Sequence, residues 1–481
     1  MRYQVSRMRS HRQRLGTIIL FLSDLVILFL ITALAIIVRD IIPRLISFFP
    51  PFTRDISYAW WFFPVWLTIL AYEGAYTRRF THWDEVKLLW RAAFFSTLAI
   101  LTIVFLGQIG LSVSRTVVVL IGALSLVLFP VLRLSLKRWL VRTGLLRRRV
   151  LILGANETGV LALRALRGEP NLGYEVVGFL DDASTTARTC IEGVKVHRRL
   201  DQVERYLAAC NIHDVVIALP DRDRDMLNAL VTRLQHKAAS VLYFPGYSGI
   251  AVMGTEIRHF FHDQAFALEI KNNLAEPLNI YTKKAFDLAV GLMLSLLLAV
   301  PLAVISLLIM ATSPGPAIYR QQRAGKNGNP FLCYKFRTMY RDADERVNDI
   351  LAADVKAREE WEKFRKFKDD PRITPFGRFL RETSLDELPQ IINVLRGEMS
   401  LVGPRPVTRE EIELYYKDSA DLCYSVLPGI TGLWQVSGRS NTSYDYRIML
   451  DSWYVRNWNL WLDIVILIKT VHVVINKEGA R

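Results

Sequence analysis

Val150-Leu151-Ile152-Leu153-Gly154-Ala155-Asn156-Glu157-Thr158-Gly159 is where the chain changes character. Four apolar residues suited to a buried strand run into a glycine turn, and an Ala- and Leu-rich helical run follows. Further strands are read at Glu175 to Leu180, Asp214 to Leu219 and Ser240 to Phe244, an alternation that predicts βαβ units on a parallel sheet. The turn is a degenerate dinucleotide fingerprint. Gly154 and Gly159 are in place, but Asn156 stands where a second glycine normally lets the backbone approach a pyrophosphate. The acidic pair Asp181-Asp182 closes the second strand about 20 residues on. Gly154, Asn156 and Gly159 therefore form either a nucleotide turn or the turn of a Rossmann-like module that binds nothing tightly or only senses a ligand.

Upstream of this stretch the chain is apolar. Leu15 to Val38, Tyr58 to Ala75, Ala92 to Val113 and Thr116 to Leu132 are each near the ~20 residues that cross a ~30 Å hydrocarbon core as helix. The first is too long for a cleaved signal peptide and lacks a small-residue cleavage site. With the N-terminus inside, 16 Lys and Arg fall on the inner side and 4 outside (Arg39, Arg44, Arg54 and Arg115), so the positive-inside rule places residues after 133 in the cytoplasm. Asp24 lies within the first span, as a functional group or as a polar contact between packed helices.

The 481 residues leave room for roughly three folded units, which excludes a peptide or a single small module. Hydrophobic residues make up 51% and mean hydropathy is +0.21, too apolar for a disordered chain. A net charge of +15 is of the sign that nucleic acid attracts, but residues 1 to 149 hold 20 Lys and Arg against 6 Asp and Glu, while the remainder is almost balanced at 41 against 40. Basicity confined to the apolar third fits membrane topogenesis and argues against a nucleic-acid partner. Cys190, Cys210, Cys333 and Cys423 are too scattered for a disulfide framework or a zinc site, which suits a reducing compartment.

A fifth apolar stretch, Leu288 to Ala311, carries Pro301 near its middle and basic residues at both ends: Lys283 and Lys284 before it, Arg320, Arg323 and Lys326 after it. A helix bent at the proline, entering and leaving by one face of the membrane, satisfies both flanks. Ala352 to Lys368 reads as a charged helix bearing Trp361, Phe364 and Phe367, a solvated or interfacial face.

The last 170 residues hold the dense polar and glycine punctuation. Lys335-Phe336-Arg337-Thr338-Met339 follows a strand at Pro330 to Tyr334. Ser384-Leu385-Asp386-Glu387-Leu388-Pro389-Gln390 opens a helix running to about Leu395. Ser384 and Glu387 have capping-box spacing, while Pro389 would forfeit a backbone bond in the second turn, so the regular helix starts at one or the other. Either way Asp386 and Glu387 sit at a helix N-terminus, where N–H groups and the dipole favour an ionised carboxylate and attract phosphate. Such an aspartate can be a nucleophile that forms an acyl phosphate, or can hold magnesium beside substrate phosphates. Lys335, Arg337, Arg381, Arg405 and Arg439, in or beside glycine- and proline-rich turns, are candidate phosphate contacts.

These blocks, with Leu401-Val402-Gly403-Pro404-Arg405-Pro406, Pro428-Gly429-Ile430-Thr431-Gly432-Leu433-Trp434-Gln435-Val436-Ser437-Gly438-Arg439 and Asp451-Ser452-Trp453-Tyr454-Val455-Arg456-Asn457, occur in one order. From Lys283 onward the chain resembles the bacterial polyprenyl-phosphate sugar-1-phosphate transferases, the monotopic phosphoglycosyl transferases. With its spans and Rossmann-like module it is similar to the long members that transfer galactose 1-phosphate, with glucose 1-phosphate the alternative within the family. The resemblance implies an inner-membrane protein with four N-terminal spans (1–145), a Rossmann-like α/β domain (146–265) and a mostly helical α+β catalytic domain (266–481) with a re-entrant helix at about 286–311. It implies attack of Asp386 on the β-phosphorus of a UDP-sugar, release of UMP, and transfer from the aspartyl-phosphosugar to undecaprenyl phosphate. Glu387 would manage proton and charge at the dyad, and Mg²⁺ would bind beside Asp386. A homodimer would suit the extra domains. One departure is Val300 where short members often carry a serine before the bending Pro301. Trp453, Tyr454, Trp458 and Trp461 read as interfacial aromatics ahead of an apolar run, Leu462 to Ile475.

Two rivals stand beside this reading. A membrane-anchored nucleotide-sugar dehydratase or epimerase would need a full glycine fingerprint and a Tyr-x-x-x-Lys pair, but Tyr174, Tyr206, Tyr243 and Tyr247 are followed four places on by Gly178, Cys210, Tyr247 and Ala251. A non-catalytic nucleotide-sensing scaffold would leave Asp386 without a reaction.

Overall fold

The computed structural model describes residues 11–46, 60–108, 113–182, 189–246 (except 211, 213, 221 and 236), 256–260, 265–269, 273–343 (except 275), 347, 370–438 and 443–476. The expected helix at Ala352 to Lys368 and the candidate Arg439 lie outside them. The chain forms two compact units, Met1–Ser248 and Gly249–Arg481, so the hairpin β7 (Glu256–Phe260) and β8 (Ala265–Glu269) falls in the second. All four cysteines are free.

The first unit opens with helices α1 (His11–Leu45), α2 (Phe62–Tyr72), α3 (His82–Leu106) and α4 (Arg115–Arg142), packed around Leu28, Ile31, Trp66, Leu89, Ile100 and Phe129. Among the described residues α1, α3, α4 and the later α8 (Pro277–Thr312) are long and apolar enough to cross a membrane. The described α2 has 11 residues, about 16 Å of helix, less than the span expected at Tyr58 to Ala75. It stops where Gly74, at φ +83°, turns the chain. Helix α3 starts ten residues before the expected Ala92, because Thr81 caps it by accepting from Asp84 N–H. Hydropathy marks where charge ends, whereas the cap marks where helix begins.

Asp24 proves to be a contact between packed helices. It is buried, pairs with Arg133 of α4, and accepts from Tyr76 Oη at 2.7 Å. Arg133 also donates to Glu85 (3.2 Å) and to the Ala75 carbonyl (3.0 Å), and Glu85 binds Lys137 and Asn171. Buried charges persist when paired and hydrogen-bonded, and this network meets both conditions.

The α/β module follows in the same unit: β1 (Arg148–Leu153), α5 (Glu157–Gly168), β2 (Tyr174–Asp181), β3 (Cys190–Ile191), β4 (Val194–Arg198), α6 (Val203–Ala209), β5 (Asp214–Ile217), α7 (Arg224–Gln235) and β6 (Ser240–Tyr243). Strand order is β3-β4-β2-β1-β5-β6, parallel except for β3. At the fingerprint turn the N–H groups are used internally. Gly154 donates to Leu180 O, Ala155 to Asp181 Oδ2 at 2.8 Å, and Gly159 to the Asn156 side chain at 2.9 Å. A Cβ on Gly159 would lie 2.1 Å from Gly154 O, so that glycine serves helix-to-strand packing.

In the second unit α8 leads into the hairpin β9 (Ile318–Ala324) and β10 (Pro330–Phe336). Next come α9 (Pro375–Glu382), a 3₁₀ turn (Leu385–Gln390), α10 (Ile391–Leu395), the parallel pair β11 (Ser400–Val402) and β12 (Gly429–Thr431), α11 (Tyr444–Arg456) and α12 (Leu460–Ile475). Helix α8 is continuous through Pro301. Its first arm is tied down by Lys283, which donates to Asp463 Oδ2 at 2.7 Å, and by Asp287, which accepts from Ser400 Oγ at 2.7 Å. Its last arm packs Leu302, Ile305 and Ile309 against Phe336 and Leu380. Between the arms Leu296, Leu297 and Val300 are 70–73% exposed.

Two of the four expected interfacial aromatics are core residues. Tyr454 and Trp458 are 1% and 2% exposed and both donate to Asp463, because α11 and α12 fold onto the α8–β11 seam.

Candidate active site

Thr374 caps α9 by accepting from Gly377 N–H at 2.9 Å, and Pro375 occupies its first turn, where a missing N–H costs nothing. The helix ends at Glu382, and Ser384, two residues on, is left-handed at φ +57°. The expected Ser384–Glu387 capping box therefore does not form, since a left-handed serine cannot aim its hydroxyl into the following turn; none of the turn's N–H groups is capped by it. Leu385–Gln390 make a 3₁₀ turn because Pro389 denies the α-helical bond, and regular helix begins only at Ile391. The capping box of this unit lies at Thr408 and Glu411, a pair the motif reading passed over.

Asp386 and Glu387 thus ride on a tight, proline-stiffened turn. Glu387 Oε1 accepts from Lys335 Nζ at 2.8 Å and from Arg405 Nη2 at 3.2 Å, which brings three separate sequence blocks to one carboxylate. Lys335 comes from the end of β10, locked to α10 by Asn393, which accepts from Tyr334 N–H (3.1 Å) and donates to Leu332 O (2.7 Å). Arg405 follows β11, where two glycines let backbone lie on backbone. A Cβ on Gly429 would come 2.1 Å from Gly403 N. Arg447 of α11, stacked 4.8 Å over Trp434, reaches the Arg405 carbonyl at 3.5 Å.

Asp386 itself is half-buried and, among the described residues, accepts no hydrogen bond. Burial pushes its carboxyl up, the neighbouring Glu387 adds to the rise, and Lys335, Arg381 and Arg405 oppose it, leaving the pKa at about 6. The helix-terminus expectation of a strongly favoured carboxylate is corrected here. The short 3₁₀ turn supplies too little dipole to offset desolvation.

The candidate cations divide. Lys335 and Arg405 line the cleft beside Glu387 with Arg323 and Gln390, and Arg381 lies in the electrostatic field of Asp386 while donating to Thr338 Oγ1 at 2.9 Å. Arg337 is elsewhere. Its guanidinium caps the C-terminal end of α8, donating to Ser313 O (2.5 Å) and Pro314 O (3.0 Å), so it ties down the end of that helix and is not bonded to the dyad. Arg337→Ala is expected to cost about 1.5–3 kcal/mol of stability, read as a lowered Tm in a thermal scan. Gln390, Asn393 and Arg447 escaped the motif reading as site residues. Gln390 Oε1 is buried without a partner in the described structure and is the one whose position inside a quoted motif could have flagged it.

Among the described residues no three His, Cys, Asp or Glu gather to form a metal cage. Magnesium needs less, one or two carboxylates with substrate phosphates and waters, and the open carboxylate of Asp386 fits that donor set.

Residues 278–477 match the bacterial sugar transferase family model, and residues 71–245 match a CoA-binding domain. The undecaprenyl-phosphate galactose phosphotransferase of Salmonella typhimurium is 38% identical over 84% of this chain and 84% of its own. The UDP-galactose-lipid carrier transferase of Erwinia amylovora is 37% identical over 96% of both chains. The chain belongs to the bacterial sugar transferase family. A UDP-glucose:undecaprenyl-phosphate glucose-1-phosphate transferase of Escherichia coli is 33% identical over 69% of each. This bacterial sugar transferase carries the Asp386–Glu387 dyad and its two glutamate-bound cations within the region matched by the family model.

Proposed function

We propose that the transferase moves a sugar 1-phosphate from a UDP-sugar to undecaprenyl phosphate through an aspartyl-phosphosugar, releasing UMP and starting O-antigen, capsule or exopolysaccharide units. The observation that carries this reading is an aspartate with no hydrogen-bond donor on it, set beside a glutamate that is held by Lys335 and Arg405. An Asp386 oxygen attacks the β-phosphorus, and the bond to the UMP oxygen breaks with its electron pair leaving on UMP. An oxygen of the lipid phosphate then attacks the same phosphorus, and the aspartate leaves as carboxylate. Lys335, Arg381 and Arg405 offset the charge that gathers on the phosphoryl oxygens. Glu387 positions two of them and keeps Asp386 basic. Mg²⁺, held by Asp386 with substrate phosphates, would neutralise the diphosphate.

Membrane placement follows the same logic. The arms of α8 return to one domain while its apolar middle projects, which supports a re-entrant helix that keeps the dyad at the bilayer surface. The excess of inner Lys and Arg favours the cytoplasmic face of the inner membrane. Galactose is favoured because the two galactose-named relatives match more of the chain, at higher identity, than the glucose-named one. Incubating membranes with a panel of UDP-sugars labelled in the β-phosphate tests both points. Label should enter the lipid extract from UDP-galactose, and transfer from none of the panel would favour the sensing scaffold.

The pH profile follows from the sign of the shift. Only the ionised aspartate is a nucleophile, so kcat/KM should rise tenfold per unit below about pH 6 and level off above it. Glu387→Gln removes a charge that raises Asp386 and frees Lys335 and Arg405 to lower it, so the acid limb should move to lower pH. An unmoved limb would mean that another group titrates.

A further inference from the structure

A second basic site lies far from the dyad in sequence, wholly inside the first unit. A cavity of about 350 Å³ is walled by α1, the α2–α3 turn, the end of α4 and the entry to β1. Arg14, Arg78, Arg79, Lys137 and Arg148 line it, and no carboxylate does. The nearby acidic groups are already engaged, Glu85 by Arg133 and Lys137, and Asp214 by Arg148 at 3.4 Å.

One of these cations, Arg79, has no ion pair among the described residues, and a second, Arg148, pairs with Asp214 through only one arm of its guanidinium. Arg79 donates only to the carbonyls of Leu172 and Leu146 (3.0 Å to the latter), among the described residues, and lies over the Tyr174 ring. Its burial and the facing Arg148 push its pKa down to about 10, the signature of a guanidinium short of negative charge. Arg148 keeps a buried Nε with no partner in the described structure. Ile18, Leu20, Val141 and Leu146 add apolar lining, with Ile18 one turn from Arg14 on α1 and Val141 one turn from Lys137 on α4; Leu20 is buried and Ile18 is 54% exposed on α1, a helix long enough to span the bilayer. A cavity lined by guanidinium forks and apolar side chains, with Ile18 exposed beside it on a helix long enough to span, fits an anionic head with a hydrocarbon tail.

We propose that this cavity binds the phosphate group of an anionic lipid, with the lipid chain leaving past Ile18. The site is separate from the sugar-transfer cleft and does not depend on the reaction assigned there.

Photocrosslinking the full chain tests it. Benzoylphenylalanine is placed at Ile18, the protein is held in phosphatidylcholine nanodiscs, and ³²P-labelled phosphatidic acid is added before illumination. Label should attach to the protein, and Arg78→Ala and Arg148→Gln should each reduce it about tenfold, the loss expected for one charge-assisted hydrogen bond. Arg78 is exposed and guards against misfolding as the cause. Lys335→Ala, in the other cleft, should leave labelling unchanged. Millimolar inorganic phosphate separates the sources. Failure to compete assigns the site to a lipid headgroup, whereas full competition shows that the anion alone is bound and overturns the lipid assignment. Labelling by tritiated diacylglycerol equal to that by phosphatidic acid, or parental labelling in both arginine variants, also overturns the proposal.

Discussion

Asp386→Asn is expected to lower sugar-phosphate transfer by at least about 10³-fold, because an amide has no charged oxygen to form an acyl phosphate. The change is nearly isosteric, and Asp386 accepts no hydrogen bond among the described residues, so folding should be untouched. Lys335 and Arg405 remain held by Glu387, which keeps the phosphate-facing cations in place. Substrate binding should therefore survive while turnover is lost. Two readouts separate the nucleophile from a mere metal ligand. The parental enzyme, quenched after exposure to UDP-galactose without acceptor lipid, should carry a phosphosugar on the peptide containing Asp386, and the variant should not. Transfer within tenfold of the parent would remove the covalent step from the account.

Asp463→Asn is expected to destabilise the catalytic unit by about 3–5 kcal/mol, a large share of the 5–15 kcal/mol that holds a typical domain together. Asp463 is fully buried and accepts from Lys283 Nζ (2.7 Å), Tyr454 Oη (2.7 Å) and Trp458 Nε1 (3.0 Å). An asparagine offers one oxygen to three donors and removes the anion nearest the buried Lys283 ammonium, leaving it the Val402 carbonyl at 3.1 Å and the Asp287 carboxylate at 3.8 Å. Since Lys283 sits on α8, the first arm of the membrane helix should loosen. Thermal unfolding in detergent, followed by Trp fluorescence, should show a large drop in Tm. Replacing both partners, Lys283→Met with Asp463→Leu, should recover part of it, because the stranded charge is what costs most. A variant that melts with the parent would show that α8 is held by apolar packing alone.

Much of the first unit was legible because its signals are local. The Val150 to Gly159 turn, the period of the strands and the length of the apolar runs gave four of the six sheet strands and three long apolar helices, the second of them starting ten residues before its expected position. The short strands β3 and β4 were not legible, since a two- or five-residue strand has too few residues for alternation to register. Asp24 illustrates the other limit. Its partners lie 52 and 109 positions away, and nothing in the first span announces them.

At the candidate site the sequence alone determined that two carboxylates stand side by side ahead of a proline, since covalent adjacency and the fixed φ of Pro389 hold in any fold. It also determined which basic residues were available. Only the tertiary structure decided which of them serve. Lys335 and Arg405 arrive from 52 and 18 positions away to hold Glu387, while Arg337, two residues beyond Lys335, turns to the end of α8. Residues two apart on one strand share a face, but β10 ends at Phe336, so Arg337 is released from the pleat and its direction is set by packing with distant chain. The same holds for the basicity of Asp386, which depends on how much water the assembled domain removes from around it.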